Sequence, residues 1–234
     1  MDKKVLSKGC YTIVFVHILF MIIGILPIAS YIKKTILGGF ILNWAYQILL
    51  VVLIMVYLKD FIVDSWKRFI SVGIKKNIKS VLLSFFAYIG IFIVFQIIVY
   101  VGKVDIGISQ NQSMIKTYIS AYPILTGILS IVVATFTEEC IYRGIIWQTI
   151  RKYSKIGAII VPGFMFGFIH VISTIVKGNV GIVQILYLIL NYSIGGIYLG
   201  VVQERYKNIW YSYFVHVLWN TMGTLPAIII TLMK

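Results

Sequence analysis

Two adjacent glutamates, Glu138 and Glu139, and an arginine four positions on, Arg143, interrupt an apolar run of this 234-residue chain. A charged group at the centre of a bilayer costs about 2.5–3.5 kcal/mol on insertion scales, so three together need a compensating environment. Helical geometry supplies part of it. Glu139 and Arg143 fall on one face and neutralise each other as an ion pair, whereas Glu138 points about 100° away and is left to face a polar cavity, where it can take and return a proton. Two further apolar runs carry an imidazole, each with a partner one turn away: Phe166 with His170, and His216 with Asn220. His17 in the first run and Gln184 and Asn191 in the sixth are read as interhelical hydrogen-bonding residues.

Hydrolysis of an amide needs a base for water, donors for the developing oxyanion, and a site that admits water while excluding lipid. Glu138, His170, His216 and Asn220 are residues of those types. No serine or cysteine nucleophile is required, and Cys140 points to another side of its helix than Glu138. Glu138, His170 and His216 are also a plausible zinc set with a fourth position open to water. The HExxH spacing is absent, and Asn220 is a better oxyanion donor than zinc ligand. The residues therefore favour chemistry that requires no cofactor, with zinc as the alternative. Two other readings of the charges stand beside hydrolysis: a structural polar cluster between helices, and a proton or ion path.

The elements that must hold these groups are helices. The composition is 60% apolar and 12% charged, with a mean hydropathy of +0.98, where a soluble domain has about 25% charged residues. Apolar runs cover Tyr11 to Ser30, Leu37 to Leu58, Val81 to Val101, about Ile119 to Ile150, Ala158 to Val176, Ile182 to Val202 and Ile209 to Met233. The expected fold is all-α: a polytopic transmembrane helix bundle of about seven spans in one membrane-embedded domain, 1–234. The Lys59 to Lys79 stretch mixes apolar and basic residues and reads as a helix on the headgroups or as a solvated loop. Gly163 and Gly167, and Gly196 and Gly200, have the GxxxG spacing that lets helix backbones approach closely.

The net charge of +14 belongs to the membrane surface. Of the 21 Lys and Arg, fourteen fall between runs on one side and six on the other, which places the N-terminus in the cytoplasm. Lys3, Lys4 and Lys8 belong to the richer side, Lys33 and Lys34 to the poorer. Basic clusters between apolar runs suit anionic lipid headgroups, so nucleic-acid binding is excluded in favour of a multi-pass protein of the cell membrane. Cys10 and Cys140 have no loop partner for a disulfide and read as small apolar fillers. At about 1.5 Å per residue, Glu138, His170 and Asn220 all lie about 20–22 Å from their nearest cytoplasmic charge, so three helices bring them to one level.

Glu138-Glu139-Cys140-Ile141-Tyr142-Arg143 reads EExxxR, Phe166 to His170 reads FxxxH, and His216 to Asn220 reads HxxxN. In order on successive apolar helices, these resemble the CAAX-protease and bacteriocin-processing (CPBP, Abi-type) family of intramembrane endopeptidases, over a core of about 118–225. The resemblance implies that Glu138 and His170 activate water and that His216 and Asn220 stabilise the oxyanion. Glu139 and Arg143 would support the site, and Phe166 would pack beside His170. It implies a glutamate-dependent enzyme of the type II CAAX prenyl protease kind that cuts a peptide or a small membrane-associated protein, in bacteriocin, peptide-pheromone or surface-protein processing or immunity. Relatives have been described both as metalloproteases and as metal-free enzymes. The alternatives are a non-catalytic scaffold that regulates a membrane partner and a proton- or ion-conducting transporter.

Overall fold

A backbone in lipid has no hydrogen-bond partner but itself, so apolar runs of this length close their bonds as helices. A computed structural model describes residues 8–23, 35–104, 108–178 and 180–234. Among them are α1 (Cys10–Ile23), α2 (Ile36–Tyr57), α3 (Lys59–Ser71), α4 (Ile74–Val101), α5 (Gln110–Ala121), α6 (Pro123–Arg151), α7 (Lys155–Lys177), α8 (Ile182–Tyr206) and α9 (Ile209–Leu232), with no strand. Six of these, α2, α4, α6, α7, α8 and α9, are long and apolar enough to cross a bilayer, and the chain is a multi-pass membrane helix bundle. The seventh expected span begins as α1, and its continuation through residues 24–30 lies outside the described residues, as do Asp2, Lys3, Lys4, Lys33, Lys34 and Asp105.

Local chemistry sets the boundaries. Thr35, Ser109 and Ser154 each accept a hydrogen bond from a backbone N–H in the first turn of α2, α5 and α7, and the Asn208 side chain accepts from Trp210 N–H to open α9. Gly178, in the left-handed region at φ 70°, ends α7. Two boundaries differ from the expectation. The run expected to start near Ile119 is cut at Tyr122, whose non-helical backbone at φ −141° and ψ 63° precedes Pro123 in the first turn of α6, so Tyr118 to Ala121 belong to α5. The span expected from Val81 starts at Ile74, because the joint with α3 is made by Gly73 at φ 95°. Lys59–Ser71 is a helix rather than a loop, burying Ile62, Ser65 and Phe69 on one side.

The closest packing in the bundle follows the glycines. A Cβ on Gly163 of α7 would stand 2.6 Å from the Ile197 amide nitrogen of α8, and one on Gly196 would stand 2.7 Å from the Gly163 carbonyl oxygen. A Cβ on Gly167 would fall 2.6 Å from the Ile189 carbonyl oxygen, and Gly200 lies against Ile159. Both GxxxG pairs thus form one seam, with van der Waals contact replacing the hydrophobic drive that lipid removes. At the end of the bundle where Arg151, Lys155 and Lys207 gather, Glu204 accepts two hydrogen bonds from Arg151, at 2.7 and 3.1 Å, and pairs with Lys155 and Lys207.

Gly163→Val forces the seam apart and is expected to cost about 1–3 kcal/mol, as overpacking does. Gly90→Ala on α4, where nothing lies within 4 Å, is neutral or stabilising. Thermal unfolding of the two variants in detergent checks the contrast.

Candidate active site

α6 carries the acidic pair, and it is not a uniform helix. Ile128–Val133 and Cys140–Ile146 wind as π-helix, and the short α-helical turn Ala134–Glu139 between them presents Glu138 and Glu139. A π stretch shifts each N–H to the carbonyl five residues back, as Ala134 N–H does to Leu129 O. Side chains take up the carbonyls this displaces: Ser130 Oγ donates to Thr126 O at 2.7 Å and Thr135 Oγ1 to Ser130 O at 3.1 Å. Asn220 of α9 completes the repair, donating to Ser130 O at 3.2 Å and to Thr135 Oγ1 at 2.9 Å.

Glu139 and Arg143 pair as their spacing requires, Nη1 to Oε1 at 3.1 Å, with side chains 0% and 1% exposed. The guanidinium also donates from Nη2 to Gly196 O at 2.7 Å, a carbonyl that the glycine seam leaves open to it. Its carbon lies 5.6 Å from the centre of the Phe166 ring. On the other side of the pair, His216 Nδ1 donates to Glu139 Oε1 at 2.9 Å. One buried carboxylate therefore ties α6 to α9, and its arginine ties α6 to α8.

Glu138 stands apart from this knot and is the more open of the two acids, at 18%. Its Oε1 lies 3.7 Å from His170 Nε2 and its Oε2 lies 3.8 Å from His216 Nε2. Neither is a direct hydrogen bond. His170 Nδ1 donates to Phe166 O at 2.8 Å, since a carbonyl can only accept, and this leaves Nε2 of the neutral ring as an acceptor. As two acceptors 3.7 Å apart, Glu138 Oε1 and His170 Nε2 cannot bond to each other and need a donor between them. Phe166 fixes the imidazoles, with its ring centre 4.3 Å from that of His170 and 5.7 Å from that of His216.

The seven residues singled out in the sequence thus fall in one region. Glu138, His170 and His216 meet face to face, Glu139, Arg143 and Phe166 back them, and Asn220 is spent on the π turn of α6. The three candidate zinc ligands approach one another, but among the described residues no group of three His, Cys, Asp or Glu side chains is arranged to hold a metal ion. Sequence reasoning missed Tyr192, stacked on His170 at 4.8 Å, and the Thr137–Gln47 hydrogen bond at 2.7 Å that joins α6 to α2. It also missed Tyr46 and Tyr142, the hydroxyl partners of His17. No spacing links these residues. Their only signal is polarity inside apolar runs, which the chain repeats at many positions without chemistry.

Residues 120–222 match the model of the family described as type II CAAX prenyl endopeptidase, Rce1-like. The UPF0177 protein YvdC of Lactococcus lactis subsp. lactis (strain IL1403) is 26% identical over 122 residues, 52% of this chain and 42% of that protein. The match therefore spans less than half the length of that relative. No solved structure matches the chain.

Arg143→Leu leaves Glu139 buried without its cation and is expected to cost about 3–5 kcal/mol. Adding Glu139→Gln recovers part of the loss. The midpoints of thermal unfolding in detergent for the single and double variants check this.

Proposed function

We propose, from the match of residues 120–222 to the Rce1-like family of type II CAAX prenyl endopeptidases, that the chain is an intramembrane endopeptidase acting through a water held by Glu138 and His170. The observation that carries the reading is the pair of facing acceptors, Glu138 Oε1 and His170 Nε2, 3.7 Å apart. Glu138 takes a proton from that water as its oxygen attacks the scissile carbonyl carbon, and the carbonyl π electrons move to oxygen. As the C–N bond breaks, Glu138 returns the proton to the leaving nitrogen.

His216 supports the oxyanion through Nε2. With Nδ1–H already given to Glu139, donation from Nε2 makes His216 the imidazolium, and its charge together with that of Arg143 balances the two carboxylates. Asn220 joins the oxyanion site by exchanging one of its hydrogen bonds on the π turn for the substrate oxygen. The residues need no metal for these steps. Substrate is a peptide or a small membrane-associated protein presented within the bilayer, as in bacteriocin, pheromone or surface-protein processing or immunity. The weighting of basic residues puts the N-terminus in the cytoplasm.

Glu138→Gln and His170→Ala are expected to abolish processing, a loss of more than about a hundredfold for a general base, while the protein still inserts. Comparative peptidomics of cells carrying the native chain or Glu138→Gln checks this: an uncut precursor accumulates in the variant. Biological activity retained by both variants would identify a scaffold for a regulatory partner. A proton or ion flux in liposomes that disappears with Glu138→Gln would identify a transporter.

A further inference from the structure

His170 is tied to its own helix by one hydrogen bond, from Nδ1 to Phe166 O at 2.8 Å. The terminal torsion of a histidine is broad, so one such bond leaves the ring room to pivot, and Nε2 moves with it. Two aromatic rings stand against that pivot. Phe166, one turn back on α7, has its ring centre 4.3 Å from that of the imidazole. Tyr192 of α8 lies nearly parallel to the imidazole, with ring centres 4.8 Å apart and planes 26° apart. Stacking of this kind favours one ring plane over others.

Tyr192 is itself fastened at its far end. Its hydroxyl shares a hydrogen bond of 2.7 Å with Oγ of Ser109, a fully buried residue at the start of α5 that also accepts from Gln112 N–H at 3.1 Å. The start of α5 is in turn fixed to α7. Gln110 N–H donates to Thr174 Oγ1 at 3.0 Å, and Lys177 Nζ donates to Gln110 Oε1 at 2.6 Å. Thr174 lies one turn beyond His170 on α7. α5 is therefore bonded both to the helix that carries the imidazole and to the ring stacked on it.

We propose that Tyr192 is a positioning residue for the hydrolytic reaction: stacked on His170 and anchored by Ser109, it holds the imidazole in the plane that keeps Nε2 facing Glu138 Oε1, 3.7 Å away. This rests on the endopeptidase reading of Glu138 and His170. No proton is transferred and no bond is broken at Tyr192. Both parts of the side chain are used. A phenylalanine there would stack but have no anchor, and a leucine would have neither.

The test uses the full chain in liposomes, with diethyl pyrocarbonate, a reagent for neutral imidazole nitrogens, as the probe and mass spectrometry to read the label on each histidine. A ring released from its plane turns Nε2 away from Glu138, so Tyr192→Leu is expected to label His170 about tenfold faster and Tyr192→Phe about threefold faster. Ser109→Ala matches Tyr192→Phe, and the two together do no more than either alone, because they remove the same hydrogen bond. His17, which is 4% exposed, labels at its native rate in every variant. In cells, Tyr192→Leu accumulates the uncut precursor that Glu138→Gln accumulates, and Tyr192→Phe accumulates less of it. Labelling of His170 that is unchanged in both Tyr192→Leu and Tyr192→Phe overturns the proposal, and so does an equal rise at His17, the mark of a loosened bundle. A Ser109→Ala effect of the same size with and without the Tyr192 hydroxyl overturns the anchor. Normal processing by Tyr192→Leu, where Glu138→Gln holds the precursor, overturns the positioning role alone. A precursor absent even from Glu138→Gln cells overturns the endopeptidase reading, and with it the positioning role.

Discussion

A carboxylate and a guanidinium shut away from water and lipid alike are the constraint on which the bundle is built. Glu139 and Arg143 are stable there only because each is further engaged: the acid by His216, the base by the Gly196 carbonyl. That carbonyl is available because a glycine lets α8 lie against α7. The knot and the seam depend on each other. A side chain at Gly196 would displace the backbone that receives Arg143, and a misplaced Arg143 would leave a bare charge in the interior. His216 inherits its position from the same knot, so the part of the site that faces Glu138 is set by charges that never touch water.

The division of labour between the adjacent acids follows from this geometry. Glu139 is fully buried and, with Arg143, holds three helices together, while Glu138 is partly open and has no direct hydrogen-bond partner among the imidazoles. In the proposed reaction a water mediates the 3.7 Å separation between Glu138 and His170. Glu138 and His170 are more open than His216, Glu139, Arg143 and Phe166.

Much of this was legible in the residue order. The spacing of Glu139 and Arg143 specified their pairing, the Gly163–Gly167 and Gly196–Gly200 spacings specified the seam, and counting residues from the cytoplasmic charges placed Glu138 and His170 at one depth. These are local or periodic signals, and helical geometry converts them directly into position. What was not legible depends on tertiary context. The π turns of α6 leave no composition signal, because Ile, Val and Leu wind as readily in an α-helix. The break at Tyr122 shows in the residue order only as a proline inside an apolar run. His17 looked like any single polar residue on an apolar helix, since its partners stand on α2 and α6 with no spacing to connect them.

The wide turn at Ile128–Val133 also has room for one residue more than an ordinary turn. A π turn is an α-helix carrying one surplus residue, so the insertion is taken up locally and the angle of Glu138 relative to the Pro123 end of α6 is kept. Deleting one residue there would restore ordinary winding with the acidic pair still turned toward α7 and α9, whereas deleting one from an ordinary α-helical turn would swing it by about 100° about the helix axis. A chain one residue shorter on the near side of the glutamates can therefore present the same face.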